Sequence, residues 1–219
     1  MKNDNYRVVL TGHGVGEPPA TIRNPTREMW MSEEHFVRIL DALAPTSELT
    51  FDDGFKCCLE IVVPLLVSRG IRATFFVSWG HVNTPGYLSE EDLREMCRLG
   101  MEIGTHGMYH RPWKKLKGIT LREEIIDAKS QLEDVLDRPI TKAACPFGAY
   151  DRRSLKALKR SGIESVYTSD RALWRSKSPI IPRYTIRSSD THKYIEEVIS
   201  GKHDASILGK IKMFAKRCL

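Results

Sequence analysis

Glu48-Leu49-Thr50-Phe51-Asp52-Asp53-Gly54 is the stretch on which the reading of this chain turns. Residues 48–51 read as a short strand that runs without a spacer into two adjacent carboxylates and a glycine, and a helical pattern follows over 55–68. Two acids side by side at the exit of an apolar strand are costly unless something pairs with them. A helix N-cap accounts for one aspartate, but not for both followed by Gly54. A divalent cation accounts for both, with one carboxylate as ligand and its neighbour close enough to work on a bound water.

Outward from this stretch, similar runs recur. Residues 7–10 read as the first strand, 48–51 as the second and 73–77 as the third, and 101–104, 141–144, 165–167 and 184–186 continue the series. Helical patterns lie between them over 32–43, 55–68, 89–99, 121–136 and 154–161. Ser89 is an N-cap hydroxyl ahead of Glu90, Glu91 and Asp92 in the first turn, and Arg69-Gly70 and Leu99-Gly100 are glycine-type helix stops. This alternation predicts repeated βα units of the α/β class around a largely parallel sheet or barrel, in which loops after the strands line the active site. Residues 12–29, rich in Gly and Pro, are expected to form a long loop after the first strand. With no repeat, low-complexity tract or linker to divide it, the chain is read as one domain over residues 1–219.

The bulk properties exclude several classes. At 219 residues with 41% hydrophobic and 28% charged side chains, the chain suits an ordinary soluble fold with a substantial core. It has no stretch of membrane-span length, and Met1 to Arg7 leads into no apolar run of signal-peptide length, so a cytoplasmic protein is expected. Its five cysteines form no Cys-x-x-Cys pair and read as buried or idle thiols. The net charge of +6 comes from Lys and Arg interleaved with acids, which argues against nucleic acid and suits a phosphorylated or otherwise acidic substrate. The basic end, Lys202 and Lys210 to Arg217, is expected to be a terminal helix packed on the body. Peripheral contact with an anionic membrane surface is the alternative.

The partner of the aspartate pair follows the fourth strand, in Thr105-His106-Gly107-Met108-Tyr109-His110. On one helical turn this spacing puts both imidazoles on the same face. Two imidazoles and one carboxylate form a facial set that leaves positions open for water and substrate. A metal in such a site lowers the pKa of its water from about 15.7 to near 7, the requirement for amide hydrolysis.

These residues carry a family resemblance. Thr50-Phe51-Asp52-Asp53-Gly54 resembles the first signature of the polysaccharide deacetylases, carbohydrate esterase family four, and Thr105 to His110 resembles the second. Pro146-Phe147-Gly148, with Tyr150 following, is similar to the third, and the likeness extends from about Val8 to Val166. It implies a distorted (β/α) barrel of about seven parallel strands, the NodB-homology type. By position it implies Asp52 as general base, Asp53, His106 and His110 as ligands of one divalent metal, and the Phe147 N–H, in the turn begun by Pro146, as an oxyanion donor. Thr50 and Thr105 support the site. Zinc suits the ligand set, and nickel, cobalt and iron are compatible with it.

Two family elements are missing. Ala144 and Cys145 stand where the third signature has an Arg that pairs with the base; Arg183 is the candidate substitute, or else a surface arginine after a strand. The family's C-terminal Leu-x-His, source of the general acid, has no counterpart after residue 170. His13, His192 and His203 are the available replacements, with His13 best placed because it leaves the first strand on the active-site face. Trp174 and Trp113 are candidate walls of the sugar groove or else core, and Asp170 is a candidate to orient the base or bind sugar hydroxyls. The activity implied is removal of an N-acetyl or other N-acyl group from an amino sugar, as a nucleotide-linked or lipid-linked cytoplasmic precursor of a surface polysaccharide of O-antigen or capsule type. The alternatives are hydrolysis of a formamide, uronamide or cyclic amide on the same metal site, and a catalytically silent sugar-binding protein.

Overall fold

The barrel is built from short strands whose side chains alternate between two apolar layers. The structure, a computed structural model, describes residues 6–22, 26–175, 178–205 and 207–218. Its parallel strands are β1 (Tyr6–Gly12), β2 (Ser47–Phe51), β3 (Ala73–Val77), β4 (Glu102–Thr105), β5 (Lys142–Ala144), β6 (Ser165–Thr168), β7 (Ile180–Pro182) and β8 (Tyr184–Thr185). They are hydrogen-bonded in the order β7-β6-β5-β4-β3-β2-β1-β8. Along β1, Val8 and Leu10 join the large outer core under the helices, whereas Val9 joins a small inner cluster with Phe76, Ala144, Tyr167 and Ile181. The period of two in each strand thus fills the barrel on one side and seats the helices on the other.

β7 and β8 are two halves of one extended run interrupted at Arg183. The first half pairs with β6 (Ile181 opposite Tyr167) and the second with β1 (Leu10 opposite Tyr184). This split run closes the barrel, so eight strands defined by their ladders correspond to seven passes of the chain. Residues 180–182 are not among the strands expected from sequence; Pro182 lacks an N–H for a ladder, which an edge position with pairing on one side tolerates.

The helices are α1 (Glu33–Ala42), α2 (58–67), α3 (Glu90–Arg98), α4 (118–136), α5 (Arg152–Arg160), α6 (His192–Ile199) and α7 (Ile207–Cys218). The expected cap of α3 is a full capping box, in which Ser89 accepts from the Asp92 N–H and Asp92 accepts from the Ser89 N–H. Ser32 caps α1 in the simpler way. Thr191 caps α6, its side chain accepting from the Tyr194 N–H.

Helix α7 lies against the body, tied by Lys216, whose Nζ donates to Asp170 Oδ1 at 2.6 Å and to the Gly148 carbonyl at 3.3 Å. The five cysteines are free thiols. Among the described residues no helix is long and apolar enough to cross a membrane. Residues 1–5, on which part of the signal-peptide reading rests, lie outside the described residues.

Candidate active site

All barrel strands run the same way, so the loops that follow them meet at one end. There a cleft of about 490 Å³ is lined by His13 after β1, Asp52 and Asp53 after β2, His106 and His110 after β4, and Phe147 after β5. Asp53 and Gly54 turn the chain with φ of 74° and 81°, which swings the Asp53 carboxylate out of strand register toward the histidines.

His106 is fully buried, and its Nδ1 lies 2.8 Å from the Ala144 carbonyl, so Nδ1 carries the proton and Nε2 presents a lone pair to the cleft. Its Nε2 is 3.7 Å from Asp53 Oδ1, the His110 Nε2 is 3.5 Å from the same oxygen, and the three ligand atoms lie within 4.8 Å of one another. Donors about 2.1 Å from a shared tetrahedral ion sit about 3.4 Å apart, so this set fits one divalent cation with little adjustment. Burial pushes the His106 imidazole down to about 3 against the opposing pull of Asp52, and burial lowers His110 as well. Both rings are therefore neutral at pH 7, as ligands must be. Burial raises the Asp53 carboxyl to about 6, with Asp52 adding to the rise and His13 opposing it.

The histidine loop departs from expectation in one respect: it is not a helical turn. Gly107 has φ of 88° and His110 φ of 53°, both left-handed, and the segment is irregular. What replaces the helical hydrogen bonds is Glu124 of α4, a fully buried carboxylate that accepts from the N–H groups of Met108 (3.2 Å), Tyr109 (2.9 Å) and Arg111 (3.4 Å). Gly107 is required there twice over, since a Cβ would come within 2.4 Å of Glu124 Oε2. The reading of the sequence missed Glu124. Its signal was an acid on the core-facing stripe of a helix, between Leu121, Ile125 and Ala128. Glu124→Ala is expected to weaken metal affinity by about 10–100-fold without removing a ligand, the usual effect of losing a group that orients ligands. Titration of apo protein with zinc checks this, and unchanged affinity in a folded variant would count against the assigned role.

Arg183 answers the missing arginine of the third signature. Its guanidinium is fully buried inside the barrel, and Nη1 and Nη2 each lie 2.7 Å from one oxygen of Asp52, a bidentate fork. Nη1 also reaches Thr11 Oγ1 at 3.0 Å and Thr50 Oγ1 at 3.1 Å, and the group lies over the rings of Phe76 and Tyr167. Burial alone would raise the Asp52 carboxyl, but Arg183 and His106 outweigh it and hold the group well below the usual carboxylate range. Arg183 is thus the counter-ion of Asp52, seated behind the carboxylate rather than on the surface or among groups open to the cleft. Cys145, in the family position of the arginine, is a buried thiol whose N–H donates to the Tyr167 carbonyl at 2.9 Å.

Phe147 adopts φ of 57°, stands 70% exposed over the cleft and packs its ring 4.4 Å from that of His110; Pro146, one residue earlier, is buried and fixes the turn. His13 lines the cleft with Nδ1 buried and without a hydrogen-bond partner among the described residues, while its carbonyl accepts from the Cys58 thiol at 3.8 Å.

Other candidates fall away. Trp174 sits at the opposite end of the barrel, paired with Arg7 at the start of β1 and bonded through Nε1 to the Ser178 carbonyl at 3.1 Å, because the chain after β6 runs back down the barrel before it pairs. Trp113 is fully buried core. Asp170 is committed to Tyr150, Thr168 and Lys216 rather than to Asp52. His192 and His203 pair with Glu196 and Glu197 away from the cleft. The aromatic side of the cleft is instead Trp30, Phe55 and Tyr87, with ring centroids 4.9 and 5.3 Å apart in sequence.

A β/α barrel with an open two-histidine, one-aspartate centre at the strand exits defines the class. The polysaccharide deacetylase family model matches residues 41–166, and the chain belongs to that family. It is 27% identical over 122 residues, 56% of its length, to a Bacillus subtilis (strain 168) protein named "Putative polysaccharide deacetylase YxkH", and 27% identical over 116 residues to a chitin deacetylase of Pestalotiopsis sp. These matches span 44% and 38% of the length of those two curated relatives. The fold is similar to that of the Streptococcus pyogenes deacetylase PplD in complex with acetate, with TM-score 0.78 and 17% identity over 89% of this chain and 98% of that one. It is also similar to IcaB from Ammonifex degensii, with TM-score 0.73 and 21% identity over 89% and 97%. The barrel is therefore of the NodB-homology type.

Proposed function

We propose that this chain hydrolyses the N-acetyl group of an amino sugar at a centre in which Asp53, His106 and His110 hold one divalent ion, with zinc the metal best suited to the set. The observation that carries the reading is the convergence of those three side chains, from two separate loops, beside an ionised Asp52 at the floor of a cleft. An ion held there supplies Lewis-acid polarisation of the acyl carbonyl and brings the pKa of a water from about 15.7 to near 7.

Asp52 takes a proton from the attacking water on a carboxylate oxygen, while Arg183 keeps that carboxylate oriented and ionised. The Phe147 N–H donates to the oxygen that gains charge as the carbonyl becomes tetrahedral, a contact worth about 3 kcal/mol. His13, whose Nδ1 has no hydrogen-bond partner among the described residues, gives the proton that the departing amine needs. The finer reading is a nucleotide-linked or lipid-linked precursor of a surface polysaccharide met in the cytoplasm, to which the +6 charge is suited.

Metal-loaded protein incubated with N-acetylated amino sugars is expected to release acetate, and chelation to stop it. Assaying formate and ammonia alongside separates hydrolysis of another amide, which the two absent family elements leave as the second reading. No product with any metal or substrate would overturn the proposal. Asp53→Ala, His106→Ala and His110→Ala are each expected to purify with less metal by elemental analysis; full stoichiometry in all three would disprove the ligand assignment.

A further inference from the structure

One flank of the cleft has a charge that deacetylation does not explain. Arg171, after β6, and Arg187, after β8, both line it, next to the hydroxyls of Ser169 and Thr185. Among the described residues, the only acids lining the same cleft are Asp52 and Asp53. Asp52 is neutralised from behind by Arg183, and Asp53 belongs to the ion-holding set, so neither balances the flank.

Arg171 is exposed, and its guanidinium has no ion pair or hydrogen bond among the described residues; its backbone N–H donates to the Arg183 carbonyl at 3.1 Å, which anchors the residue to the strand that closes the barrel. Its neighbour Asp170 is turned away toward Tyr150 and Lys216. Among the described residues the Arg187 side chain pairs with Glu28 alone, at 3.4 Å, with the two side chains 42% and 63% exposed, a pairing that contributes little. Its Nε is buried and has no hydrogen-bond partner among the described residues. A buried N–H donor without an acceptor is costly, and a ligand oxygen would satisfy it. The backbone of Arg187 is held by its N–H to Asp190 Oδ2 at 2.8 Å, so the fork projects from a fixed point. Guanidinium forks match the oxygens of phosphate and carboxylate groups, and a low-dielectric cleft strengthens that match.

We propose, resting on the deacetylase reading, that Arg171 and Arg187 recognise an anionic group on the substrate, so that the preferred substrate is an N-acylated amino sugar bearing a phosphate or carboxylate near the reacting acetamido group. A neutral polymer such as chitin would leave both guanidiniums unanswered.

The test compares acetate release by the zinc-loaded full chain from methyl N-acetylglucosaminide, N-acetylglucosamine 1-phosphate, UDP-N-acetylglucosamine and N-acetylmuramic acid. At least one anionic substrate is expected to exceed the neutral glycoside in kcat/KM by tenfold or more, and which one does so distinguishes monophosphate, diphosphate and carboxylate. In Arg171→Gln and Arg187→Gln the ratio of anionic to neutral kcat/KM is expected to fall about tenfold each, mainly through KM, with partial recovery in the Lys variants. Equal kcat/KM for all four substrates, or a ratio unaltered by either substitution, overturns the inference. Binding of N-acetylglucosamine 1-phosphate by calorimetry provides a readout independent of turnover. Lack of acetate from every substrate, with binding that still depends on both arginines, overturns the deacetylase reading and upholds the anion site; binding indifferent to both substitutions overturns the site.

Discussion

Asp52→Asn is expected to retain the metal and to lose turnover by about 10²–10⁴-fold, the contribution of a positioned base. The carboxylate lies 3.7 Å from the ligand nitrogen of His106 and is 4% exposed, close enough to serve water at the centre without belonging to the coordinating set. An amide keeps the shape and removes the proton acceptor. The same change leaves the buried Arg183 guanidinium without its counter-ion, so a fall in thermal stability accompanies the loss of activity. Elemental analysis, a melting curve and single-turnover acetate release on one preparation separate these effects. Full activity with metal present would remove Asp52 from the mechanism.

Arg183→Met is expected to cost about 3–5 kcal/mol of stability, because a buried charge pair broken from one side leaves the other charge uncompensated. The methionine fits between Phe76 and Tyr167, over which the guanidinium now lies, so packing is largely kept and the loss reads the electrostatics. The sign of the pH dependence follows. In the natural protein the folded Asp52 carboxyl lies below its unfolded value, so its contribution is present above about pH 4 and is lost as the pH falls further. In the variant the pull of Arg183 is gone and only those of His106 and His13 oppose burial, so the folded value rises toward the protonated form. The stability difference between the two proteins is therefore largest near neutral pH and narrows as the pH drops through the carboxylate range. Urea melts of the apo proteins at several pH values check this, and a difference independent of pH would mean that the lost stability is packing.

The sequence made legible whatever is local. Residues 73–77 are β3 as read, Ser89 caps its helix, and the aspartate pair sits at the strand exit where its cost demanded a partner. Long-range pairing hid the rest. Nothing near His106 in sequence says that a carboxylate 14 to 18 residues later folds its loop into left-handed turns, and a His-x-x-x-His spacing reads as helix without that knowledge. Trp174 misled because a position after a strand was equated with the end where that strand exits, whereas the chain had already returned to the entrance. Arg183 could be named as the substitute cation because the departure from the third signature left a charge to balance. Its burial among Thr11, Thr50 and two aromatic rings depends on a strand whose prolines concealed it.

The split final strand ties closure of the barrel to the charge state of Asp52. Residues 41–166, the span shared with the family, contain Asp52 and the three side chains that could hold an ion, yet neither His13 nor Arg183. Until residues 180–185 slot between the first and sixth strands, the Asp52 carboxylate in the incomplete cylinder lacks its counter-ion, and that closing stroke brings in the guanidinium that holds it as an anion. Seating of the guanidinium beside Asp52 and sealing of the barrel wall are thus one event.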